Sequence, residues 1–189
     1  MDLRHNFPAR ALRIAMAALI YVVLGVATVS AQISGTFTIG SGGTYATFTD
    51  AVTALGSGVN GPVTFNVLTG IYTEQFTIPA VSGVSATNRI TFQAQTGNAG
   101  DVTLRFAPTS GANYIVYLNG ADFVTFTKMT FAVQGAGSYG VIFRLAGDAN
   151  NNTISNSILS GINVNSSSAQ WADILVDNQP VDQLTVSGN

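Results

Sequence analysis

The sequence predicts an all-β fold, a right-handed parallel β-helix with one short capping helix near its N-terminus. Composition is the first reason: 47% of the 189 residues are hydrophobic and only 8% are charged, against roughly a quarter charged in average proteins. Thr, Ser, Asn and Gly supply the polarity, as suits strands and tight turns. The second and third reasons are a series of short alternating segments and a change of phase inside one of them.

Short alternating segments continue along the chain from Val63. Apolar residues occupy every second position, which is the period of a strand with one buried face, and turn-forming residues separate many of the segments. The predicted strands are Val63–Val67, Ile90–Phe92, Val102–Leu104, Ile115–Leu118, Val124–Phe126, Met129–Phe131, Val141–Leu145, Asn152–Ile154, Ile174–Val176 and Leu184–Val186.

The phase of the pattern changes by one residue within Val124–Phe131. A continuous strand would place Met129 on the face opposite Phe126. A corner at Thr127–Lys128 instead lets both segments face one core, as a coil of a β-helix requires. In Asn152–Leu159 the pattern leaves two alternatives open, because Ile158 keeps the phase of Ile154 whereas Leu159 does not.

Similar triplets support a repeating architecture. Val102–Leu104, Val124–Phe126, Asn152–Ile154 and Leu184–Val186 recur at spacings of roughly 22, 28 and 32 residues, in the range of solenoid repeats. The alternative is an irregular β-sandwich, which Asn60–Gly61 and Asn119–Gly120 favour because Asn-Gly is typical of hairpin turns.

One helix is predicted before the first coil. Phe48, Ala51, Val52 and Leu55 lie on one face at helical spacing, with Thr47 or Thr49 as N-cap, Asp50 near the positive end and Gly56 as a stop. So short a helix needs tertiary packing. We therefore predict a cap over residues 32–60 and coils over residues 61–189.

Residues 1–31 have the three parts of a signal peptide. A start containing Arg4, Arg10 and Arg13 precedes the apolar run Ile14–Ala27, and Val29–Ala31 ends in a small residue. The alternative is an uncleaved membrane anchor, but the run is shorter than the ~20 residues that a span needs. The sequence thus predicts a secreted or outer-surface domain without a membrane span after cleavage.

The chemistry of residues 32–189 excludes several function classes. They contain no Cys and no His, since the one His of the chain, His5, lies in the predicted leader. This excludes Ser/His/Asp and Cys/His nucleophiles and zinc sites built from Cys and His. Four basic and eight acidic residues give a net charge of −4, which argues against a nucleic-acid partner. No cofactor is predicted.

Two acidic positions are candidates for chemistry. Glu74 is the only glutamate; the alternative to a catalytic acid is a surface carboxylate that pairs with a base on the next coil. Asp148–Asn152 has the Asp-x-Asn-x-Asn start of a calcium loop, but Thr153 and Leu159 replace the glycine and the bidentate acid that complete one. We favour a turn with stacked asparagines and predict no metal site.

Four aromatic residues are candidates for carbohydrate binding. An exposed ring offers a flat apolar face with a polar edge, on which a sugar can stack. The alternative is that these side chains fill the core or the corners. The candidates are Tyr114, Tyr117, Tyr139 and Trp171.

Residues Tyr45–Ile78 resemble the start of the pectinesterase-type β-helix, within the pectin-lyase-like superfamily. That family has a Tyr-x-Thr/Phe-x-x-Ala-Val helix, an apolar strand and Gly-x-Tyr-x-Glu, which correspond to Tyr45, Phe48, Ala51–Val52, Val63–Val67 and Gly70–Glu74. Weaker resemblance covers Gly120–Phe131 and Val141–Gly161. The resemblance as a whole implies the β-helix fold more strongly than an enzymatic activity.

The catalytic pattern of these esterases is not preserved. The resemblance implies a glutamine and an aspartate after Ile154–Gly161, where this chain has Asn163 and Val164, and a further glutamine before Val141, where Tyr139–Gly140 stand. Valine cannot exchange a proton, so acid–base catalysis at that position is lost.

The chain also resembles the leading coils of large secreted or outer-surface β-helix proteins of Bacteroidetes-like bacteria, which implies an adhesive role within a longer protein. We therefore predict an exported, non-catalytic β-helix segment with a structural or adhesive role, whose partner is a polysaccharide or cell-surface glycan. The alternative is a carbohydrate-active enzyme, similar to a pectinesterase or polysaccharide lyase, whose catalytic coils are missing or displaced.

Overall fold

The structure, a computed structural model, describes residues 31–135, 139–161, 171–177 and 184–189. The helix α1 (Phe48–Leu55) follows the first strand, and a 3-10 turn (Ala99–Asp101) precedes the sixth. The strands are β1 (Ile33–Ile39), β2 (Val59–Val67), β3 (Gly70–Thr73), β4 (Phe76–Pro79), β5 (Ile90–Ala94), β6 (Val102–Phe106), β7 (Val116–Asn119), β8 (Val124–Thr127), β9 (Thr130–Val133), β10 (Gly140–Ala146), β11 (Thr153–Ser155), β12 (Ile158–Ser160), β13 (Trp171–Val176) and β14 (Thr185–Ser187).

These strands form three parallel sheets. Sheet 1 has the order β1-β2-β5-β8-β11-β14, sheet 2 the order β3-β6-β9-β12, and sheet 3 the order β4-β7-β10-β13. The chain passes from sheet 1 to sheet 2 to sheet 3 and back, so three consecutive strands complete one coil. Every described pairing between these strands is parallel. The predicted parallel β-helix is therefore confirmed, and the β-sandwich alternative is wrong.

The two Asn-Gly pairs do not form hairpins. Asn60 and Gly61 lie inside β2. Asn119 ends β7, and Gly120 has a φ of 73° in the corner that follows. At both pairs the chain continues around the coil and does not reverse direction. Asn119–Gly120 forms a corner, whereas Asn60–Gly61 forms no turn.

A stack of aromatic rings runs through the core behind sheet 1. Phe65, Phe92 and Phe126 occupy equivalent positions in three successive coils. Their ring centroids are 4.8 Å apart for the first pair and 5.0 Å apart for the second, and all three side chains are fully buried. The strand pairing fixes this spacing, since parallel strands lie about 4.8 Å apart.

Left-handed residues at one corner set the phase of the strands. Lys128 has a φ of 56°, and Met129 beyond it is buried, which confirms the predicted corner at Thr127–Lys128. Asn156 has a φ of 49° at the equivalent corner of the next coil, so Ile158 points outward and is 50% exposed. Leu159 packs against the core instead, which decides between the two alternatives that the sequence left open.

One of the predicted repeat positions is wrong. Val124, Asn152 and Leu184 lead equivalent strands of sheet 1, as predicted, but Val102 begins β6 in sheet 2. The sheet 1 partner of Val124 in the preceding coil is Ile90. An inward–outward–inward triplet has the same sequence pattern on either sheet, which explains the misassignment.

The predicted helix lies at the first coil. Thr47 is its N-cap, and Thr47 and Asp50 form a capping box in which each side chain accepts a hydrogen bond from the other's backbone N–H. The helix packs against β1 and β4, which are end strands of their sheets. Phe48 stacks on Phe76 at 5.4 Å between ring centroids. The helix thus covers apolar surface that no strand of the described residues covers at this level.

Candidate functional site

Tyr117 lies at the centre of the outer surface of sheet 3. Its strand neighbours Val116 and Leu118 are fully buried, so the alternation of a strand turns Tyr117 outward. Its register partners are Thr77 in β4 and Arg144 in β10. We use the term aromatic face for Thr77, Tyr114, Tyr117, Arg144 and Asp177.

The Tyr114 ring is held beside Tyr117. The two ring centroids are 5.2 Å apart, with the planes inclined at 46°. Thr77 Oγ1 donates a hydrogen bond to the Tyr114 hydroxyl over 3.2 Å. Gln75 Nε2 donates to the backbone carbonyls of Tyr114 and Ala112, which fixes the loop that carries the ring. The two tyrosines therefore form a positioned pair.

Arg144 extends this pair toward the next coil. Its guanidinium carbon lies 4.8 Å from the Tyr117 ring centroid, within the range of a cation–π contact. The same guanidinium forms an ion pair with Asp177, whose side chain is 28% exposed against 34% for Arg144. The site thus combines two rings with charged donors and acceptors that remain in contact with water.

The other two aromatic candidates belong to the same sheet. Tyr139 is half-buried and directly precedes β10, while Trp171 begins β13 opposite Gly140. The side chain of Trp171 lies outside the described residues. No described ring contact joins Tyr139 to the Tyr114–Tyr117 pair. The fold therefore brings all four candidate positions to the strands of sheet 3 or just before them, and among the three described rings it joins Tyr114 to Tyr117.

Glu74 binds the N-terminus of α1. Its carboxylate accepts hydrogen bonds from the backbone N–H groups of Phe48 and Thr49, over 3.3 and 3.2 Å, and from the Thr49 hydroxyl. A carboxylate there satisfies free N–H groups and the positive end of the helix dipole. The described partners of Glu74 are thus the helix N-terminus and not, as the sequence suggested, a base on the next coil.

Other acidic residues also have structural contacts. Asp101 accepts a hydrogen bond from Asn98 in the 3-10 turn, and Asp122 accepts one from the backbone of Asn150 over 2.6 Å. Asn152 is buried and bonds Val124 N–H and the Ala121 carbonyl. Asn150 and Asn152, in the Asp148–Asn152 segment, thus join successive coils. Among the residues that the structure describes, no group of three His, Asp or Glu is arranged to hold a metal ion.

Tyr72, in the Gly70–Glu74 segment, ties the first coil to β1. Its hydroxyl donates to the Leu68 carbonyl over 2.8 Å and lies 3.3 Å from the Ile39 carbonyl. Burial, and secondly the nearby Glu74 carboxylate, raise the pKa of this phenol. The contacts give Tyr72 a structural role.

Tyr72→Phe should weaken the alkaline sensitivity of the domain. Below about pH 10 the phenol is protonated in both the folded and the unfolded chain. Above that pH the unfolded chain loses the proton first, so the wild-type free energy of unfolding falls as pH rises. At neutral pH the free energy of unfolding of the variant is lower by about 1 kcal/mol, because the hydrogen bond of the phenol is missing. Above about pH 10 the free energy of unfolding of the variant falls less than that of the wild type. Urea unfolding at neutral pH and about pH 11 measures this.

Tyr45→Phe is the control for that measurement, because it removes a phenol hydroxyl from the cap and leaves Tyr72 in place. An alkaline decline of equal steepness in wild type and in Tyr72→Phe would contradict the assignment to Tyr72.

Some predicted features fall outside the described residues. The signal peptide, except for Ala31, and the positions Asn163 and Val164 are among them. Within the described part of the chain, no helix has the length and apolar character needed to cross a membrane.

Comparison with known proteins gives one structural similarity. No family model matches the chain, and no curated protein matches its sequence. A solved structure of a pectin methylesterase from Aspergillus niger aligns with a TM-score of 0.39 and 20% sequence identity, over 82% of this chain and 68% of that one. The strand pairings described above establish the β-solenoid in their own right.

Proposed function

We propose that this chain is an exported, non-catalytic β-helix segment that binds a polysaccharide or cell-surface glycan through the aromatic face, in a structural or adhesive role. The observation that carries the proposal is the Tyr114–Tyr117 pair on the outer surface of sheet 3. Its rings are held in place before any ligand binds, so little side-chain entropy is lost on binding.

The groups around the rings suit a hydroxyl-rich ligand. A sugar presents apolar C–H faces and hydroxyl edges at once. The tyrosine rings offer apolar surface with polar tips, while Arg144 offers only donors and Asp177 only acceptors. Both charged side chains are partly exposed, so they can bond a ligand hydroxyl without first being uncovered.

Replacing Tyr117 tests the proposal. We expect Tyr117→Ala to weaken glycan binding roughly two- to tenfold, because an aromatic contact contributes about 0.5–1.5 kcal/mol. The control is Ile71→Ala, which removes a side chain that is 64% exposed on the outer surface of sheet 2. The full chain is screened on a glycan array, and the affinity for the bound glycans is measured by calorimetry. Equal affinities for Tyr117→Ala and Ile71→Ala would contradict the proposed site.

The non-catalytic part of the proposal needs a separate measurement. Glu74 is occupied by the helix N-terminus, and the proposal assigns it no role in turnover. Ester and lyase activity are measured with the full chain on pectin. Clear turnover would overturn the non-catalytic assignment and favour the carbohydrate-active enzyme.

A further inference from the structure

The outer surface of sheet 1 carries two regular columns of polar side chains. The first contains a threonine at every coil, and consecutive members are register partners: Thr36, Thr64, Thr91, Thr125, Thr153 and Thr185. The second lies two residues further along each strand: Thr38, Asn66, Gln93, Thr127, Ser155 and Ser187. We use the term polar array for the two columns together.

The spacing of the polar array follows from the β-helix. Neighbouring strands lie about 4.8 Å apart, and side chains on one face of a strand repeat every two residues, about 6.7 Å. The register pairs threonine with threonine at every step of the first column. Neither column contains a charged residue. The result is a two-dimensional lattice of uncharged hydroxyl and amide groups.

The polar array is rigid. Phe65, Phe92 and Phe126 stack directly behind it, on the inner side of three of its strands. Gln93 Nε2 donates to Asn66 Oδ1 over 2.9 Å, and Ser155 Oγ donates to Thr127 Oγ1 over 3.1 Å. Threonine is also restricted at χ1. The hydroxyls therefore hold fixed positions before they meet a ligand.

Arg89 supports the first column from its flank. Its Nη2 donates to Thr125 Oγ1 over 3.2 Å and to Thr153 Oγ1 over 3.3 Å. A guanidinium has donors only, so each of these hydroxyls accepts from Arg89 and keeps its own proton. That proton remains available for a water molecule on the outer side.

We propose that the polar array binds the surface of an ice crystal. A hydroxyl has one donor and two acceptor positions, so each column can hold a row of water molecules at the repeat of the strands. Rows of water molecules that are fixed in two dimensions share the regularity of a crystal face. Because the polar array orders these water molecules before it meets the crystal, little ordering remains to be done on binding. A charged side chain inside a column would orient the surrounding water toward itself and disturb the rows, whereas Arg89 lies at the flank and donates to Thr125, Thr153 and the Asn151 carbonyl. The polar array and the aromatic face lie on different sheets, so this proposal does not depend on the proposed function.

Ice growth in the presence of the purified full chain tests the proposal. We expect faceted crystals and a gap between the melting and freezing temperatures. Thr91→Lys places a long charged side chain in the middle of the polar array and should abolish both effects. Thr103→Lys is the matched control, since Thr103 is also half-buried but lies on sheet 2; this variant should keep both effects.

Three results would overturn the proposal. In the first, ice crystals grow in the presence of the wild-type protein as they do in buffer. In the second, Thr91→Lys and Thr103→Lys lose the faceting and the temperature gap equally. In the third, the wild-type protein is retained on microcrystalline cellulose but has no effect on ice. Circular dichroism establishes that each variant is folded. If Thr91→Lys does not fold, Thr91→Tyr takes its place, because tyrosine suits strands and its ring also breaks the lattice; an unchanged temperature gap in that variant would likewise overturn the proposal.

Discussion

Phe92→Ala is expected to lower the free energy of unfolding by about 3–5 kcal/mol, as large-to-small replacements of core aromatics do. Phe92 is fully buried at the middle of the ring stack, 4.8 Å from Phe65 and 5.0 Å from Phe126 between centroids. The strand register fixes both neighbours, so the coils cannot close the resulting cavity by moving together. The free energy of unfolding of a native protein is about 5–15 kcal/mol in total. The expected loss is therefore a large fraction of the stability of the domain.

Urea unfolding followed by circular dichroism measures the loss from Phe92→Ala. The matched control is Gln93→Ala, the next residue on the same strand, which faces outward and donates one hydrogen bond to Asn66. Its expected cost is about 0.5–1 kcal/mol. A loss below about 1 kcal/mol for Phe92→Ala would mean that the site collapses around the missing ring, and that the stack is not a rigid spine.

The phase of the strands shows how far the sequence predicts this fold. The slip at Val124–Phe131 indicated a corner, and the structure has one there with Lys128 at a φ of 56°. The sequence pattern does not determine the same slip before Leu159, because Ile158 continues the period of Ile154. Asn156 is the residue that resets it, and asparagine is among the few residues that adopt a left-handed conformation readily. An asparagine between two alternating segments is thus a usable sign of a corner.

The sequence predicts the aromatic residues of the candidate site but not the charged residues beside them. Tyr114 and Tyr117 stand out in the sequence as aromatic residues, three positions apart. Arg144 and Asp177 reach them from the next two coils, and the distance along the chain between coils depends on loops of unequal length. No periodic pattern in the sequence specifies those lengths. The register of sheet 3 was therefore needed to assemble the aromatic face.

Glu74 shows the opposite case, in which a conspicuous residue has a structural partner. As the only glutamate, within Gly70–Glu74, it suggested chemistry. The helix whose N–H groups donate to its carboxylate begins 26 residues earlier in the chain, and nothing in the local sequence connects the two. The contact explains why an acid suits this position: free N–H groups at a helix N-terminus need acceptors.

Leu55→Asp is expected to destabilise the domain far more than Glu74→Gln. Leu55 is 1% exposed on the buried side of α1, so the variant loses apolar burial, at 2–5 kcal/mol for truncation of a leucine, and adds the cost of a buried carboxyl group. In Glu74→Gln one amide oxygen replaces the two carboxylate oxygens that accept from Phe48 N–H and from Thr49. The variant therefore loses one of these hydrogen bonds together with the charge at the helix dipole, about 1–2 kcal/mol in total.

Thermal melting of the variants compares these two positions. Thr53→Asp is the control for Leu55→Asp, because it places the same new side chain at an exposed position of the same helix; about 1 kcal/mol or less is expected from the helix dipole. Lowering the pH should narrow the deficit of Leu55→Asp, since a buried carboxyl group has a raised pKa and becomes neutral on protonation. If Glu74→Gln melted lower than Leu55→Asp, the contact of Gly70–Glu74 with the helix, and not the apolar side of α1, would be what closes the first coil.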